Sequence, residues 1–128
     1  MFHALNLVHI KNVASYPRFL WDTATVYSTL DTTPGLLKFR VKMRHNPMTI
    51  LQISSWRTKE EMDAFKRSPK HVAAMQDVGS FSDYGKVCVW ESDKLPSWAE
   101  AEKHLDTEGR LLHFHAPHNH PFKAVQHA

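Results

Sequence analysis

Cysteine and glycine are scarce in this sequence. The single cysteine, Cys88, rules out an intrachain disulfide, and its position in the apolar run 87–90 predicts a buried, unreactive thiol. The four glycines are scattered, so neither a phosphate-binding loop nor a dinucleotide-binding motif is present. The sequence also lacks a Gly-flanked serine after a strand, which argues against a hydrolase of the Ser-His-Asp type.

Long apolar runs and one-sided charge are absent too. No apolar run approaches the ~20 residues that span a bilayer, and residues 1–10 alternate like a strand instead of resembling a signal peptide. We therefore expect a cytoplasmic protein with no membrane partner. The 16 basic and 13 acidic residues give a net charge of only +3 and form no nucleic-acid-binding motif, so nucleic acid is not an expected partner.

The composition is that of a folded protein. Of the 128 residues, 42% are hydrophobic and 23% charged, and this length suits one hydrophobic core. We predict one domain over residues 1–95, followed by a C-terminal helix and a histidine-rich tail over residues 96–128. Histidine is in excess, with ten in the chain and six of them in the last 25 positions.

Hydrophobic periodicity predicts an α+β fold. Alternation favours strands over residues 2–10, 37–45, 49–56 and 86–91, with a tight turn at 45–47. Helical stripes favour helices over residues 15–30 and 59–76, then a last helix ending near 109 and a short strand at 111–115.

The order strand, helix, strand, strand, helix, strand is that of a ferredoxin-like βαββαβ unit. Such a unit is a four-stranded antiparallel sheet with its helices on one face, here with a C-terminal extension. Because the strands carry apolar residues on both faces, the other face needs a cover, and a two-fold homodimer is the simplest one.

One strand has a regularly basic face. Lys38, Arg40, Lys42 and Arg44 alternate with apolar residues. These charges keep a strand face solvated and discourage edge-to-edge association, or they form an anion-binding surface.

The stretch 54–75 carries the most informative pattern. Thr58 and Glu61 have the spacing of a capping box, which starts a helix. Pro69 then interrupts that helix, so Ser68 is predicted to cap a restarted one. His71 falls in its first turn, where the helix dipole opposes protonation. A neutral imidazole there can accept a proton or ligate a metal.

The same stretch resembles a known superfamily. The features are a strand ending in Trp56, an acidic helix start at 59–61, Phe65 in mid-helix, and the run 68–75. This pattern is similar to that of the dimeric α/β-barrel, ferredoxin-like proteins related to antibiotic-biosynthesis monooxygenases, haem-degrading monooxygenases and spheroidene monooxygenase. The resemblance covers roughly residues 2–92. It implies a homodimeric barrel with a ligand pocket between the sheet and the helices of each protomer.

The resemblance also implies roles for single residues. His71 would be the general base or a haem ligand, with Trp56, Phe65 and Met75 lining the substrate pocket. Asn6 or Gln52 would orient an oxygen atom by hydrogen bonding, and Arg57 would bind a carboxylate or a haem propionate. In haem-degrading members the iron-ligating histidine comes one helical turn after the position of His71, where this sequence has Met75.

Three functions stay open from the sequence. The first is a monooxygenase-like enzyme acting on a small, largely apolar substrate, either with haem or without a cofactor. The second is a non-catalytic, dimeric module that binds a small molecule or haem. The third is metal binding by the C-terminal imidazoles of His113, His115, His118 and His120. Simpler alternatives also stand, in which Trp56 is a core residue, His71 is structural and Arg57 is a solvated charge.

Overall fold

A computed structural model describes residues 1–45 and 48–115 of the chain. Its helices and strands, in chain order, are β1 (Phe2–Ile10), α1 (Tyr16–Tyr27), β2 (Leu36–His45), β3 (Met48–Trp56), α2 (Lys59–Lys66), α3 (Pro69–Asp77), β4 (Ser82–Glu91), α4 (Trp98–Glu108) and β5 (Arg110–His113). The centre of the turn predicted at 45–47 lies outside the described residues. Within them, no helix is long and apolar enough to cross a bilayer.

The strands form one antiparallel sheet in the order β2-β3-β1-β4-β5. The first four strands have the ferredoxin-like arrangement, so the predicted α+β class is confirmed. The sheet has five strands rather than the four of that unit, and the fifth, β5, corresponds to the short strand predicted at 111–115. The chain after α4 returns along β4, where Leu111 pairs with Lys86, and so uses the hydrogen-bonding groups of an edge that β4 would otherwise expose.

Strand β4 also begins earlier than its sequence pattern indicates. The apolar alternation starts at Lys86, but the strand runs from Ser82. Residues 82–85 contain a serine, an aspartate and a glycine, which are typical of turns. They are held as strand because β1 pairs with them on one side and β5 on the other. Tertiary pairing here overrides local propensity.

Helices α1, α2 and α3 cover one face of the sheet. Phe19 of α1 packs with Ile10, Ile50 and Phe81 in one buried cluster. A second cluster, nearer the other end of β1, joins Ala4, Trp56 and Met62. The predicted placement of these helices on a common face is therefore confirmed.

Helix α4 covers the opposite face. Ala101 and Leu105 are 0% and 3% exposed and pack with Leu5, Leu51 and Ile53. From the sequence we expected this face to be bare and to be covered by a second protomer. In the structure, α4 covers its centre. The predicted boundary near residue 95 stays a prediction, although α4 and β5 continue the same core and sheet.

The basic face of β2 meets α4. Lys42 and Arg44 both form ion pairs with Glu102 of this helix. The guanidinium of Arg40 lies 5.6 Å from the centre of the Trp98 ring. Part of the regular positive charge therefore holds α4 against the sheet, which is neither of the two roles that the sequence pattern favoured.

The packing of α4 can be tested by truncating one side chain. We expect Leu105→Ala to lower the free energy of unfolding by about 2–5 kcal/mol, because it leaves a cavity under α4. Leu111→Ala is the matched control: Leu111 is 53% exposed, so its truncation should change stability by less than about 0.5 kcal/mol. Urea denaturation followed by circular dichroism measures both. Equal effects of the two variants would contradict the burial of Leu105 under α4.

Candidate functional site

The position of His71 is set by the break between α2 and α3. Helix α2 starts where the Thr58 hydroxyl oxygen accepts a hydrogen bond from the Glu61 amide at 3.2 Å. It ends before Ser68, whose hydroxyl oxygen accepts the amide N–H of His71 at 3.4 Å and caps α3. Pro69 occupies the first position of α3, as predicted. His71 thus lies in the first turn of a new helix.

The imidazole of His71 is half-buried and fixed at one nitrogen. Its Nδ1 lies 3.2 Å from the backbone carbonyl oxygen of Lys66, which can only accept, so Nδ1 carries the proton of this bond. Burial lowers the pKa of His71, although the Lys66 carbonyl opposes this shift. The neutral ring therefore keeps a lone pair on Nε2. Such a nitrogen can accept a proton or bind a metal.

Two aromatic rings continue from His71 into the core. The centre of the Phe65 ring lies 5.1 Å from that of His71 and 5.2 Å from that of Trp56. Trp56 is 1% exposed, and its Nε1 donates a hydrogen bond to the Ser54 hydroxyl at 2.8 Å. The structure brings these three predicted site residues together. Trp56 is a core residue, as the simpler alternative had it, and its role in a ligand pocket stays a prediction.

Asn6 and Gln52 form a second group. They are opposite each other in the ladder between β1 and β3, on the sheet face that carries Trp56. The Gln52 Nε2 donates to the Tyr27 hydroxyl at 3.4 Å, and burial raises the pKa of Tyr27. Gln52 lies four residues before Trp56, or about 13 Å along the strand. Among the described residues, the hydrogen bonds and ring contacts of His71, Phe65 and Trp56 do not involve Asn6 or Gln52.

Arg57 is engaged in an ion pair within its own segment, and the predicted role of Met75 in the pocket stays a prediction. Arg57 forms a two-pronged ion pair with Glu61, at 3.0 Å from Nε and 2.7 Å from Nη2. Gly35, with a φ of 81°, lets the chain pass close to Glu61 and accepts the Arg57 amide N–H at 2.8 Å. Met75 is half-buried and follows His71 by one turn of α3.

The residues present fit a haem at one position only. His71 has a free Nε2 and a carbonyl bond on Nδ1, which is how axial histidines are commonly held. Arg57 does not fit the role of propionate partner, because Glu61 already occupies its guanidinium fork. A bound haem would supply iron-centred oxygen chemistry.

The predicted metal site on the tail is only partly within the described residues. His113 ends β5 and is exposed, while His118 and His120 lie outside the described part. Among the described residues, no group of three or more histidine, cysteine or acidic side chains is placed to hold a metal ion. Metal binding by the C-terminal segment stays a prediction.

Sequence reasoning missed two residues next to the predicted site. Tyr27 supplies the hydroxyl beside Gln52, and Ser54 accepts the indole N–H of Trp56. The spacing of Ser54 and Trp56 places them on one strand face, which is a readable signal. No comparable signal exists for Tyr27, because its contact depends on how α1 crosses the sheet.

Solved structures with this fold are known. The chain is similar to an antibiotic biosynthesis monooxygenase, with a TM-score of 0.62, 15% identity, and coverage of 75% of this chain and 100% of the other. The chain has the fold of these proteins. No family model and no curated protein matches the sequence.

Two further solved structures are similar to the chain. One is SnoaB, a cofactor-independent oxygenase from Streptomyces nogalater, with a TM-score of 0.60, 12% identity, and coverage of 75% and 97% of the two chains. The other is a dimeric ferredoxin-like protein from a Jannaschia species, with a TM-score of 0.63, 16% identity, and coverage of 71% and 98%. At these identities the likeness concerns the fold.

The lowered pKa of His71 predicts a pH dependence of stability. Below the ordinary histidine pKa of 6.5, His71 is protonated in the unfolded chain but stays neutral in the folded protein. The free energy of unfolding should therefore fall between about pH 7.5 and about pH 5.5, and His71→Gln should show a smaller fall. His3, whose pKa burial also lowers, is present in both proteins and does not affect the comparison. Urea denaturation at both pH values measures this, and equal falls would contradict the neutral, buried imidazole.

Proposed function

We propose that this chain is a monooxygenase-like enzyme that acts on a small, largely apolar substrate, with neutral His71 as the general base. The observation that carries the proposal is the state of this imidazole. Its Nδ1–H is bound to the Lys66 carbonyl, its pKa is lowered by burial, and its Nε2 keeps a lone pair. A base needs that protonation state at neutral pH.

The reaction class follows from what such a base can do. Nε2 accepts a proton from a phenolic or enolic substrate, and the resulting carbanion transfers electrons to molecular oxygen. One oxygen atom enters the substrate as a carbonyl, and the other leaves as water with the hydrogen of the oxidised carbon and the proton that Nε2 had accepted, which restores the neutral imidazole. The substrate supplies all the electrons, so no redox cofactor is required. This version is supported by the similarity in fold to SnoaB, which is a cofactor-independent oxygenase.

The neighbouring side chains suit a flat substrate with few polar atoms. Half-buried Phe65, backed by the buried ring of Trp56, extends from His71 as an aromatic wall. Offset stacking on such rings favours an aromatic ligand. Asn6 and Gln52, with the Tyr27 hydroxyl, provide hydrogen-bonding groups farther along the same sheet face. We assign them to orienting a substrate oxygen, and Met75 to the pocket lining.

A non-catalytic binding module is the second candidate. It is favoured by one observation: the polar contact of the His71 ring is a backbone carbonyl, not a second acid or base. In that case the same aromatic wall would bind a small molecule without turnover. Replacing a histidine that only shapes a pocket changes ligand binding, whereas replacing one that moves protons changes turnover. A measurement of oxygen consumption separates the two cases.

The catalytic role of His71 can be tested by oxygen consumption. A set of phenolic and enolisable aromatic compounds is screened with an oxygen electrode, and turnover is measured for the best substrate. His71→Gln should lower kcat by about 10²–10⁴-fold with little change in KM, because it removes the base but keeps the size of the side chain. Met75→Leu, a volume-conserving change on the same helix, should keep kcat within a few-fold of wild type.

The alternatives give different results in the same set of proteins. Binding of a screened compound without oxygen uptake would contradict catalysis and favour the binding module. A Soret shift on addition of haem to wild type that is lost in His71→Ala would favour axial ligation over the cofactor-free reaction. Equal turnover of His71→Gln and wild type would overturn the role of His71.

We also propose that the protein forms a homodimer. The Jannaschia protein is described as dimeric and shares the fold. Edge strand β2 exposes Leu37, Val41 and Met43 at 50%, 45% and 41%, and a second chain could bury these apolar side chains.

Light scattering at micromolar concentration tests the dimer. We expect twice the mass of one chain for wild type and a shift toward the single-chain mass for Val41→Lys. Val13→Lys is the control, because Val13 is 80% exposed and is not on β2. A single-chain mass for wild type would contradict the dimer, and equal masses of the two variants would contradict the β2 edge.

A further inference from the structure

Helices α1 and α3 meet through a pair of carboxyl groups. Asp22 lies on α1, and Asp77 is the last residue of α3. The two side chains line the same cleft between the helices and are hydrogen-bonded to each other. Ionised carboxylates can only accept hydrogen bonds, so a bond between two carboxyl groups requires a proton on one of them.

The partners of each carboxyl group indicate which of them holds the proton. Asp77 accepts from two donors, the Arg18 guanidinium at Oδ2 and the Ser80 hydroxyl at Oδ1, the latter at 2.9 Å. These donors stabilise Asp77 in its ionised form. Asp22 lacks such support, because its Oδ2 is buried without a donor. With a proton on Asp22, this carboxyl becomes a donor toward Asp77 and buries no charge.

The electrostatics of the pair agree with this assignment. Burial, followed by the hydrogen bond and charge of Asp77, raises the pKa of Asp22 to about 7, while the charge of Arg18 opposes the shift. Burial also acts to raise the pKa of Asp77, but the hydrogen bonds that this carboxylate accepts outweigh it, and its pKa is lowered. Opposite shifts in two interacting carboxyl groups are typical of a pair that holds one proton.

We propose that Asp22 and Asp77 share one proton in the folded protein, and that loss of this proton weakens the contact between α1 and α3. Without it, two negative charges face each other between the helices, and the Arg18 cation offsets only part of their repulsion. The other charged residue that lines the cleft is Lys70, whose Nζ donates to the Ser28 hydroxyl at 3.3 Å. The contact is therefore strongest below neutral pH and weaker above it.

This contact joins two helices that both carry residues of the candidate site. His71 lies in the first turn of α3, and Tyr27, the last residue of α1, contacts Gln52. A change in the packing of α1 against α3 therefore acts on both groups of candidate residues. The proposal does not depend on the proposed function, because the carboxyl pair is the same whatever the site binds.

Carbon NMR of the aspartate carboxyl groups tests the shared proton directly. The signals are assigned sequentially in labelled protein and titrated from about pH 4 to about pH 9. Asp22 should titrate near pH 7 in wild type. Its apparent pKa should fall toward the ordinary value of 3.8 in Asp77→Asn, because the neighbouring charge is removed and the new amide can donate to Asp22. Asp63, which is paired with Lys59 on α2, is the internal control and should titrate equally in both proteins.

The shared proton also predicts how stability depends on pH. Between about pH 4 and about pH 7, folded Asp22 holds a proton that the unfolded chain has lost. This contribution to stability is complete below about pH 4 and is lost as the pH rises through about 7. Asp77 has a lowered pKa and stays ionised over this range. The lowered pKa values of His3 and His71 act in the opposite direction, but equally in each protein compared, so they cancel.

The variant Asp22→Asn keeps the hydrogen bond at every pH, because its amide donates to Asp77 and cannot ionise. In urea denaturation, the folding equilibrium constant of wild type divided by that of Asp22→Asn should fall about tenfold or more between about pH 5 and about pH 8. Asp63→Asn is the matched control. Asp63 is paired only with Lys59 of its own helix in the described structure and has a lowered pKa, so its replacement should leave the pH dependence unchanged.

Amide hydrogen exchange, corrected for the intrinsic effect of pH, locates the change. Protection of α1 and α3 should fall between about pH 6 and about pH 8 in wild type but not in Asp22→Asn, and protection of α4 on the opposite sheet face should not follow it. Equal changes in α1 and α4 would contradict a contact local to α1 and α3.

The shared proton itself is overturned by either of two NMR results. These are titration of Asp22 near its ordinary value in wild type, and an Asp22 titration that Asp77→Asn does not shift. A stability ratio of wild type to Asp22→Asn that is independent of pH would overturn the weakening of the contact. If a variant does not fold, the wild-type titration of Asp22 still decides, because it needs no substitution.

Discussion

The central strand β1 is buried on both of its faces, and the rest of the fold depends on this constraint. β3 and β4 pair with it on either side, so its backbone groups are satisfied within the sheet. Leu5 is completely buried under α4, while Ala4 and Ile10 are buried under the helices of the other face. Burying a leucine side chain contributes about 1.5–3 kcal/mol, so neither face can be left to water without a large loss of stability. The C-terminal helix is thus part of the core and not an appendage.

The same constraint shapes the candidate site. The face covered by α1, α2 and α3 is not uniformly apolar, because Asn6, Gln52 and Ser54 lie on it between the clusters around Phe19 and Trp56. Buried polar groups need partners, and Tyr27 and the indole of Trp56 supply two of them. A hydrogen-bonded strip within an apolar layer is a suitable surface for orienting a ligand. His71 stands at one end of this layer because Ser68 and Pro69 restart the helix there.

The local features were the most predictable. The capping of α2 by Thr58, the break at Pro69 and the first-turn position of His71 follow from side chains that act within a few residues of one another. The pairing of β5 and the early start of β4 were less predictable, because both depend on strands distant in sequence. The role of the basic face of β2 could not be predicted from the sequence. Its partner Glu102 is sixty residues away on a helix whose docking face only the folded chain defines.

The position of Cys88 has a practical consequence. The thiol lies in the cluster that α4 seals, together with Ala101 and Leu105, and burial raises its pKa to about 11. A thiol in this state reacts slowly with alkylating reagents while the helix is in place. Since it is the only cysteine in the chain, the rate of its modification at neutral pH measures how often α4 detaches from the sheet. The molecule therefore carries its own probe of local opening, with no label added.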